Sequence, residues 1–487
     1  MMVAYWNGEN ILTTGGDILD GSIKDVTAKA VTTENDITLY VINEDYAIQW
    51  LYYLLSHGVP VADSPLTKNA LTVLRGVNKK LYHITYKNAK GKKLRVCLFE
   101  NLISANRDDI IREFPDEDFE DAIVDTLREC ENFGIHGITI GSEAMRHYRE
   151  SMGAGRFAKT FPQIDKKVEH YLRTGYIGGY LYCKPGDYGE TVDYDENSMY
   201  PSIMRDEYLP YGQPVAYDGK YENDPKYPLH MDMLTFRADL KEDGYPWLTI
   251  PHTAIDFEYA RVESTHGYIT MCMSNIDQEL LQENYDVSVY KRIQGWKFKQ
   301  SNRNFTQWVD TWGGIKQRAT GAKRAIVKHM TTSLVGKFGS VSRNVSLKPY
   351  IAYDRVMWRP EKSKPATLNR YLPVSVFINS YGRKRLISAI RKNKDRVIYA
   401  NTDGFILKGL EKAEGVREHP NKIGLWKREH EWKKLRILRL GLYQGERTDG
   451  SGYDIISSGL SRSDPIPWDD FWPEKTCIDD YGDEVVL

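Results

Sequence analysis

The sequence predicts a mixed α+β fold built from several subdomains. Three observations carry this. The chain is 487 residues long, enough for several cores. Segments with strand alternation and segments with helical spacing succeed one another without a repeat. Two of the strand-like stretches, far apart in the chain, end on an aspartate, at Asp195 and Asp403.

In order, residues 1–35 are rich in Gly, Thr and Asp and are expected to be poorly ordered at the start. Residues 36–42 read as a strand, followed by a helix through Trp50 and Leu55 that stops near Gly58. Strands are expected over 80–87 and 92–101, around the turn at 88–91, and a helix over 118–132. This forms an α/β unit ending near residue 150. Residues 176–180 lead into paired strands, 189–194 alternate, and 197–204 turn into a helix. Residues 205–290 are polar, Pro-rich and strand-like, as an insertion would be. Helical spacing covers 305–336, a β-type excursion 342–372, a helix 375–392 and a hairpin 396–407; a last small region starts near 430.

No apolar run reaches the roughly 18–20 residues of a membrane span, so no membrane role is expected. Five cysteines without a CxxC pair argue against zinc modules and disulfide frameworks and for a reducing compartment. The net charge of −1 conceals an asymmetry: residues 291–440 hold 35 Lys+Arg against 10 Asp+Glu, leaving 31 against 57 elsewhere. A basic segment of this size suits a polyanion, with a solvated basic face as the alternative. Trp296, Phe298, Phe305, Trp308, Trp312, Phe338, Tyr350 and Trp358 are interleaved with the charge and are expected to stack on nucleic acid.

Three segments fit one another chemically: VDYDENSMYP (192–201), KHMTTSLVGKFG (328–339) and YANTDG (399–404). Asp195 sits where a strand passes into a helix, a place that also suits a helix N-cap. Asp403 sits in Asn-Thr-Asp-Gly, which by itself is a good hairpin turn. A hairpin tip beside the strand end of Asp195 would pair two carboxylates for two divalent ions about 3.5–4 Å apart. Arg324, Lys328 and Thr332 are four apart on a helical stretch and share a face that suits a triphosphate or, alternatively, is a basic solvent face. Gly336 is expected to end that helix, with Lys337 as a further cation. P-loop, HExxH and GxSxG patterns are absent.

These segments resemble motifs A, B and C of family B DNA polymerases, DxxSLYP, KxxxNSxYG and YxDTDS. They are similar, more narrowly, to the protein-primed branch of small phages with linear genomes. YIGG (176–179), FAKTFP (157–162), LPYG (209–212), GKY (219–221) and GWKFK (295–299) extend the likeness over 36–460. The resemblance implies a right-hand fold of palm, fingers and thumb behind an exonuclease-like (RNase H-like) N-terminal domain. Its divisions would be 1–150 exonuclease-like, 151–204 template guide and first palm part, 205–304 insertion and palm strands, 305–340 fingers, 341–374 second insertion, 375–430 palm, and 431–487 thumb and tail. It implies a viral DNA-directed DNA polymerase acting in the cytoplasm of an infected host cell, with DNA template and primer, dNTPs and a terminal priming protein as partners. Asp195 and Asp403 would be catalytic and hold two Mg²⁺, or Mn²⁺. Lys328, Arg324, Thr332, Asn401 and the sugar gate Tyr200 would bind nucleotide. Tyr176, Gly178, Gly179, Lys297, Lys299, Lys337 and Tyr443 would contact DNA.

The chain also departs from the pattern. Asn401 stands for the first motif C aspartate, Gly404 for its serine, Thr332 and Val335 for the motif B Asn and Tyr, and Gly441 for the lysine of the KxY element. These changes support a second reading, a catalytically impaired polymerase-derived factor that binds DNA or a replication protein. No Asp-x-Glu precedes Asp118; Asn43 and Asp125 match the remaining exonuclease elements poorly, with Asp121 where tyrosine is expected. A domain without proofreading is expected.

Overall fold

The structure, a computed structural model, describes residues 2–62, 64–76, 80–103, 119–250, 262–340, 345–362, 371–457, 466–473, 476–478 and 484–486. Residue 118 and parts of the expected excursions at 205–290 and 342–372 lie outside them. The chain forms two compact units, Met1–Gly153 with Thr311–Leu368, and Ala154–Asp310 with Asn369–Leu487.

The first unit contains β1 (Met2–Trp6), β2 (Asn10–Thr13), β3 (Ile18–Asp20), α1 (Ile23–Thr32), β4 (Ile37–Val41), α2 (Glu44–Ser56), β5 (Ala70–Gly76), β6 (Leu81–Lys87), β7 (Lys93–Leu98), α3 (Phe99–Ile103), α4 (Phe119–Asn132) and α5 (Ile140–Met152). Later in the chain it gains α11 (Gly321–Gly339), β15 (Val345–Ala352) and β16 (Arg355–Lys362). Its nine-stranded sheet runs β16-β15-β5-β6-β7-β4-β1-β2-β3, with β1, β4 and β7 mutually parallel. Strands buried on both faces read as apolar runs, and every residue of β4 is buried. Helix α2 starts on Asn43, whose side chain accepts from Asp45 N–H, and buries Ala47, Trp50, Leu51 and Leu54 at helical spacing.

Several expectations are corrected here. Residues 2–32 are ordered into three strands and a helix rather than loose: Trp6 is buried, and its indole N–H donates to Gly21 O at 2.7 Å. The strand expected to reach residue 101 stops at Leu98, where the chain coils into α3. The helical stretch 305–336 is two helices, α10 (Thr306–Arg318) and α11, broken at 319–320. Gly336 does not end α11; a Cβ there would meet open space, and the helix continues until Gly339.

The second unit contains α6 (Ala154–Thr160), α7 (Lys166–Thr174), β8 (Leu181–Cys183), β9 (Gly186–Tyr188), β10 (Thr191–Glu196), α8 (Met199–Asp206), β11 (Leu209–Tyr217), β12 (Leu229–Leu240), β13 (Ile269–Ser274), α9 (Asn275–Asn284) and β14 (Tyr285–Ser301). After the excursion into the first unit come α12 (Leu372–Arg391), β17 (Val397–Asn401), β18 (Gly404–Lys408), β19 (Trp426–Arg439), β20 (Leu442–Arg447), β21 (Tyr453–Ser457), β22 (Thr476–Ile478) and β23 (Glu484–Val486). An eight-stranded sheet follows β21-β20-β19-β10-β18-β17-β8, with β9 on β19. A four-stranded sheet follows β11-β14-β12-β13. Tyr194, Phe405 and Leu407 from the first, Phe236 and Met273 from the second, and Leu386, Ile387 and Ile390 of α12 share one core.

Expected divisions at 204/205, 374/375 and 430/431 fall inside α8, α12 and β19, and the stretch expected to be strand-like to 290 includes helix α9. The interleaved aromatics are mostly core residues. Trp296, Phe298, Phe305, Trp308, Trp312 and Phe338 are buried, which corrects the expected stacking on nucleic acid. Trp358 carries the Arg75 guanidinium 4.5 Å from its ring centroid; Tyr350 remains exposed.

Candidate functional site

Strand β10 explains where the first aspartate points. Alternation puts Val192 and Tyr194 into the core and Asp193 and Asp195 on the opposite face. Tyr194 stacks on Phe405 of β18 with ring centroids 5.6 Å apart, fixing the register in which Asp195 lies opposite Gly404. The turn after β18's partner β17 carries Asp403. Glu196 N–H donates to Asp403 O at 2.8 Å, so the hairpin tip is tied to the end of β10. A Cβ on Gly404 would sit 3.0 Å from Tyr194 O and 3.6 Å from Asp195 Oδ1; glycine permits this approach. Ser198, three residues past Asp195, and Thr402, next to Asp403, both hold left-handed backbone (φ 51° and 58°). Asp195 is a strand residue, and α8 takes Ser198 at its cap position, so the helix-cap alternative does not apply.

Asp195 and Asp403 line one open cleft of about 350 Å³ with Asp193, Asn401, Tyr399, Glu429 and Tyr443. Burial, then the charges of Asp403, Glu429 and Asp193, push the Asp195 carboxyl up to about 8, with Lys427 opposing. Burial with Glu429 and Asp403 pushes Asp193 up to about 8 as well. A wall of acids so poor in compensating charge fits a hard divalent cation, and its donors are all oxygen. Among the described residues, no group of three or more His, Cys, Asp or Glu is arranged to hold a metal ion on its own.

Tyr200, on the first turn of α8, packs by its ring 3.5 Å from where a Cβ on Gly382 would be. Burial and then Asp403 push its hydroxyl up to about 12. The YIGG segment adjoins the hairpin: Thr402 N–H donates to Tyr180 O, and a Cβ on Gly179 would lie 2.8 Å from Thr402 Oγ1. Gly178 is exposed and Tyr176 half-buried. Tyr443 is a buried wall of the acidic cleft, edge-on to Tyr399 at 5.1 Å. The structure thus brings together Asp195, Asp403, Asn401, Tyr200, Gly179 and Tyr443.

Other expected site residues lie elsewhere. Lys297 pairs with Asp224 at 2.7 Å, and Lys299 lies 6.0 Å from the Tyr227 ring centroid, both on β14. Arg324, Lys328, Thr332 and Lys337 belong to α11 of the first unit. There Arg324 donates to Lys316 O, Lys328 is exposed, Thr332 donates to Lys328 O and Lys337 donates to Ser142 Oγ.

Sequence reasoning missed several residues. Asp193 was legible, because period-two alternation puts it on the face of Asp195. Glu429 was not, since it sits in a basic strand. Nor was the buried pair Arg383–Asp277 (2.7 Å), whose guanidinium also donates to Ile177 O and Gly178 O and so holds the YIGG backbone. Arg385 binds buried Glu196, Ser202 and Glu207 behind β10.

Residues 116–417 match the family described as DNA polymerase type B, organellar and viral. The DNA polymerase of Bacillus phage Nf is 32% identical over 321 residues, 64% of this chain and 55% of that protein. That of Bacillus phage phi29 is 31% identical over 317 residues, with the same shares. In these matches the chain spans little more than half of the relatives' length. The solved phi29 DNA polymerase complexed with primer-template DNA has the same fold, with a TM-score of 0.85 over 100% of this chain and 98% of that one at 22% identity. The carboxylate pair and the matched sequence therefore lead to one family: the chain belongs to the type B DNA polymerases of organelles and viruses.

Proposed function

We propose that this chain is a DNA-directed DNA polymerase that copies a viral genome in the cytoplasm of an infected host cell. One observation carries the reading: Asp195 on β10 and Asp403 in the turn leading into the neighbouring β18, remote in sequence, line one cleft. Family membership supports it, and so does the fold shared with a polymerase solved with primer-template DNA and incoming nucleotide.

In this reading a primer 3′-hydroxyl attacks the α-phosphate of a dNTP and pyrophosphate leaves. Asp195 and Asp403 would hold two Mg²⁺, or Mn²⁺, between them. When bound there, divalent ions would supply charge neutralisation at the attacking and leaving oxygens. Tyr200 lies beneath the sugar and excludes a ribose 2′-hydroxyl. Asn401 offers the nucleotide a neutral amide where the family pattern has a carboxylate. Tyr176, Gly178 and Gly179 guide the template, with Arg383 holding their backbone. Lys297, Lys299, Lys337 and Tyr443 as DNA contacts, and Lys328, Arg324 and Thr332 as triphosphate contacts, rest on the sequence pattern alone. So do the terminal protein that offers the first Ser, Thr or Tyr hydroxyl, the assignment of fingers and thumb, and an N-terminal unit without proofreading.

Primer extension by the purified chain with Mg²⁺ tests the proposal against Asp403→Ala. Extension by the wild type that vanishes in the variant is expected. Indistinguishable, absent extension in both would overturn the polymerase reading in favour of a DNA- or protein-binding factor.

A further inference from the structure

A second polar pocket, of about 310 Å³, opens on the four-stranded sheet of the second unit. Its wall includes Lys220, His230, Asn275, Gln278, Gln282 and Arg292. Behind it, Asp232 is 1% exposed and accepts three hydrogen bonds: from Tyr217 Oη at 2.5 Å, His230 Nδ1 at 2.7 Å and Gln278 Nε2 at 2.8 Å. Tyr217 reaches Asp232 by crossing Gly295, where a Cβ would come within 2.3 Å of the phenol ring. Although burial pushes the Asp232 carboxyl up, the bonds from His230, Tyr217 and Gln278 hold it below the usual carboxylate range. The acid is therefore ionised and fully engaged, and it fixes the imidazole through Nδ1.

The ring is fixed from its face as well. His230 stacks on Tyr221 with centroids 4.0 Å apart, and Tyr221 Oη is locked between Tyr227 O and Asp224 N–H. With Nδ1 used, Nε2 is the ring nitrogen left for a ligand. Two cations share the wall, half-buried Arg292 and exposed Lys220, and neither has an ion-pair partner among the described residues. The wall's acid, Glu279, is engaged by Lys384 at 2.7 Å.

We infer that this pocket binds a phosphate group, held by Arg292 and Lys220, with the side-chain amides of Asn275 and Gln282 and the fixed ring of His230 around it. A guanidinium fork and an ammonium converging on one space suit a tetrahedral oxyanion. The group comes either from the backbone of bound DNA or from free phosphate or pyrophosphate. The pocket stands on its own geometry, and only the DNA source rests on the function proposed above.

The test compares the full wild-type chain with Lys220→Gln/Arg292→Gln, both retaining Asp195 and Asp403. Anisotropy of labelled primer-template DNA is followed against KCl, and thermal shift is followed against inorganic phosphate and pyrophosphate. A backbone-phosphate site predicts that the slope of log K on log salt falls in magnitude by about 1 in the double variant. A free-anion site predicts equal slopes but phosphate- or pyrophosphate-induced stabilisation of the wild type that the variant loses. Equal slopes and equal thermal responses overturn the inference. Should neither protein bind DNA, the polymerase reading fails, and the anion arm alone decides the pocket. His230→Gln, which leaves both cations in place, is expected to weaken the same response partially.

Discussion

The two units each build a broad sheet, yet only one carries carboxylates on its central strand. In the first unit β1 and β4 lie in a parallel core; β4 is buried throughout, β1 nearly so, and neither carries a carboxylate. In the second unit β10 is antiparallel to both neighbours and open on one face, so Asp193 and Asp195 can look into a cleft while Val192 and Tyr194 hold the core. A strand covered on both sides has nowhere to place an ion; one with a free face does.

Substitution of acids is the strongest way to break this contrast. Asp195→Asn is expected to lower primer extension by about 10³-fold or more. Asp125→Asn in the first unit, which loses only its pairing with Arg128, is expected to leave it within about twofold. A comparable loss from both would place the chemistry outside the β10 cleft.

Ion pairs sharpen the comparison at the level of stability. Arg383 and Asp277 are both 3% exposed, whereas Arg75 and Glu44 of the first unit are 14% and 31% exposed. Arg383→Met strands a buried carboxylate and is expected to cost about 3–5 kcal/mol in denaturant unfolding of the second unit. Replacing Glu44 by Gln is expected to cost no more than about 1 kcal/mol. Equal costs would mean that the buried pair is not the anchor of the YIGG backbone.

Smaller effects come from close approach and from protons. Gly179→Ala pushes a methyl into Thr402 and is expected to cost about 1–3 kcal/mol and to slow extension. Thr402→Gly should restore much of it, because it removes the obstruction and suits the positive φ. If the double variant is no better than Gly179→Ala, the contact is not what matters. Burial and the neighbouring acids hold the Asp195 proton up to about 8 in the folded chain, against an ordinary 3.8. Folded protein then retains a proton that the unfolded chain has released, and stability is lost as pH rises from about 4 to about 8. Without divalent ions, Asp195→Asn should raise Tm by a few degrees near pH 8 and leave it unchanged near pH 4. Mg²⁺ should narrow the gap, and a Tm difference independent of pH would contradict the acidic-wall account.

Local signals were legible in the sequence. Alternation exposed β10, and Asn-Thr-Asp-Gly exposed the hairpin of β17 and β18. What period-two alternation could not supply was the pairing that seats Gly404 opposite Asp195, or the arrival of Glu429 from β19, because register between distant strands is set by core contacts such as Tyr194 on Phe405. The aromatics escape for a related reason: a Trp in a basic segment has the same local pattern whether it faces solvent or core, and Trp296 and Trp308 face the core. Gly336 looked like a helix stop, yet its neighbours Leu334, Val335 and Phe338 are buried and keep α11 going.

The most direct measurement is anomalous diffraction from crystals of the chain grown with primer-template DNA and dNTP and soaked in Mn²⁺. The expected result is density within coordinating distance, about 2.1 Å, of both the Asp195 and Asp403 carboxylates. Density bound to neither, or to acids of the first unit instead, would contradict the placement of the reaction on β10.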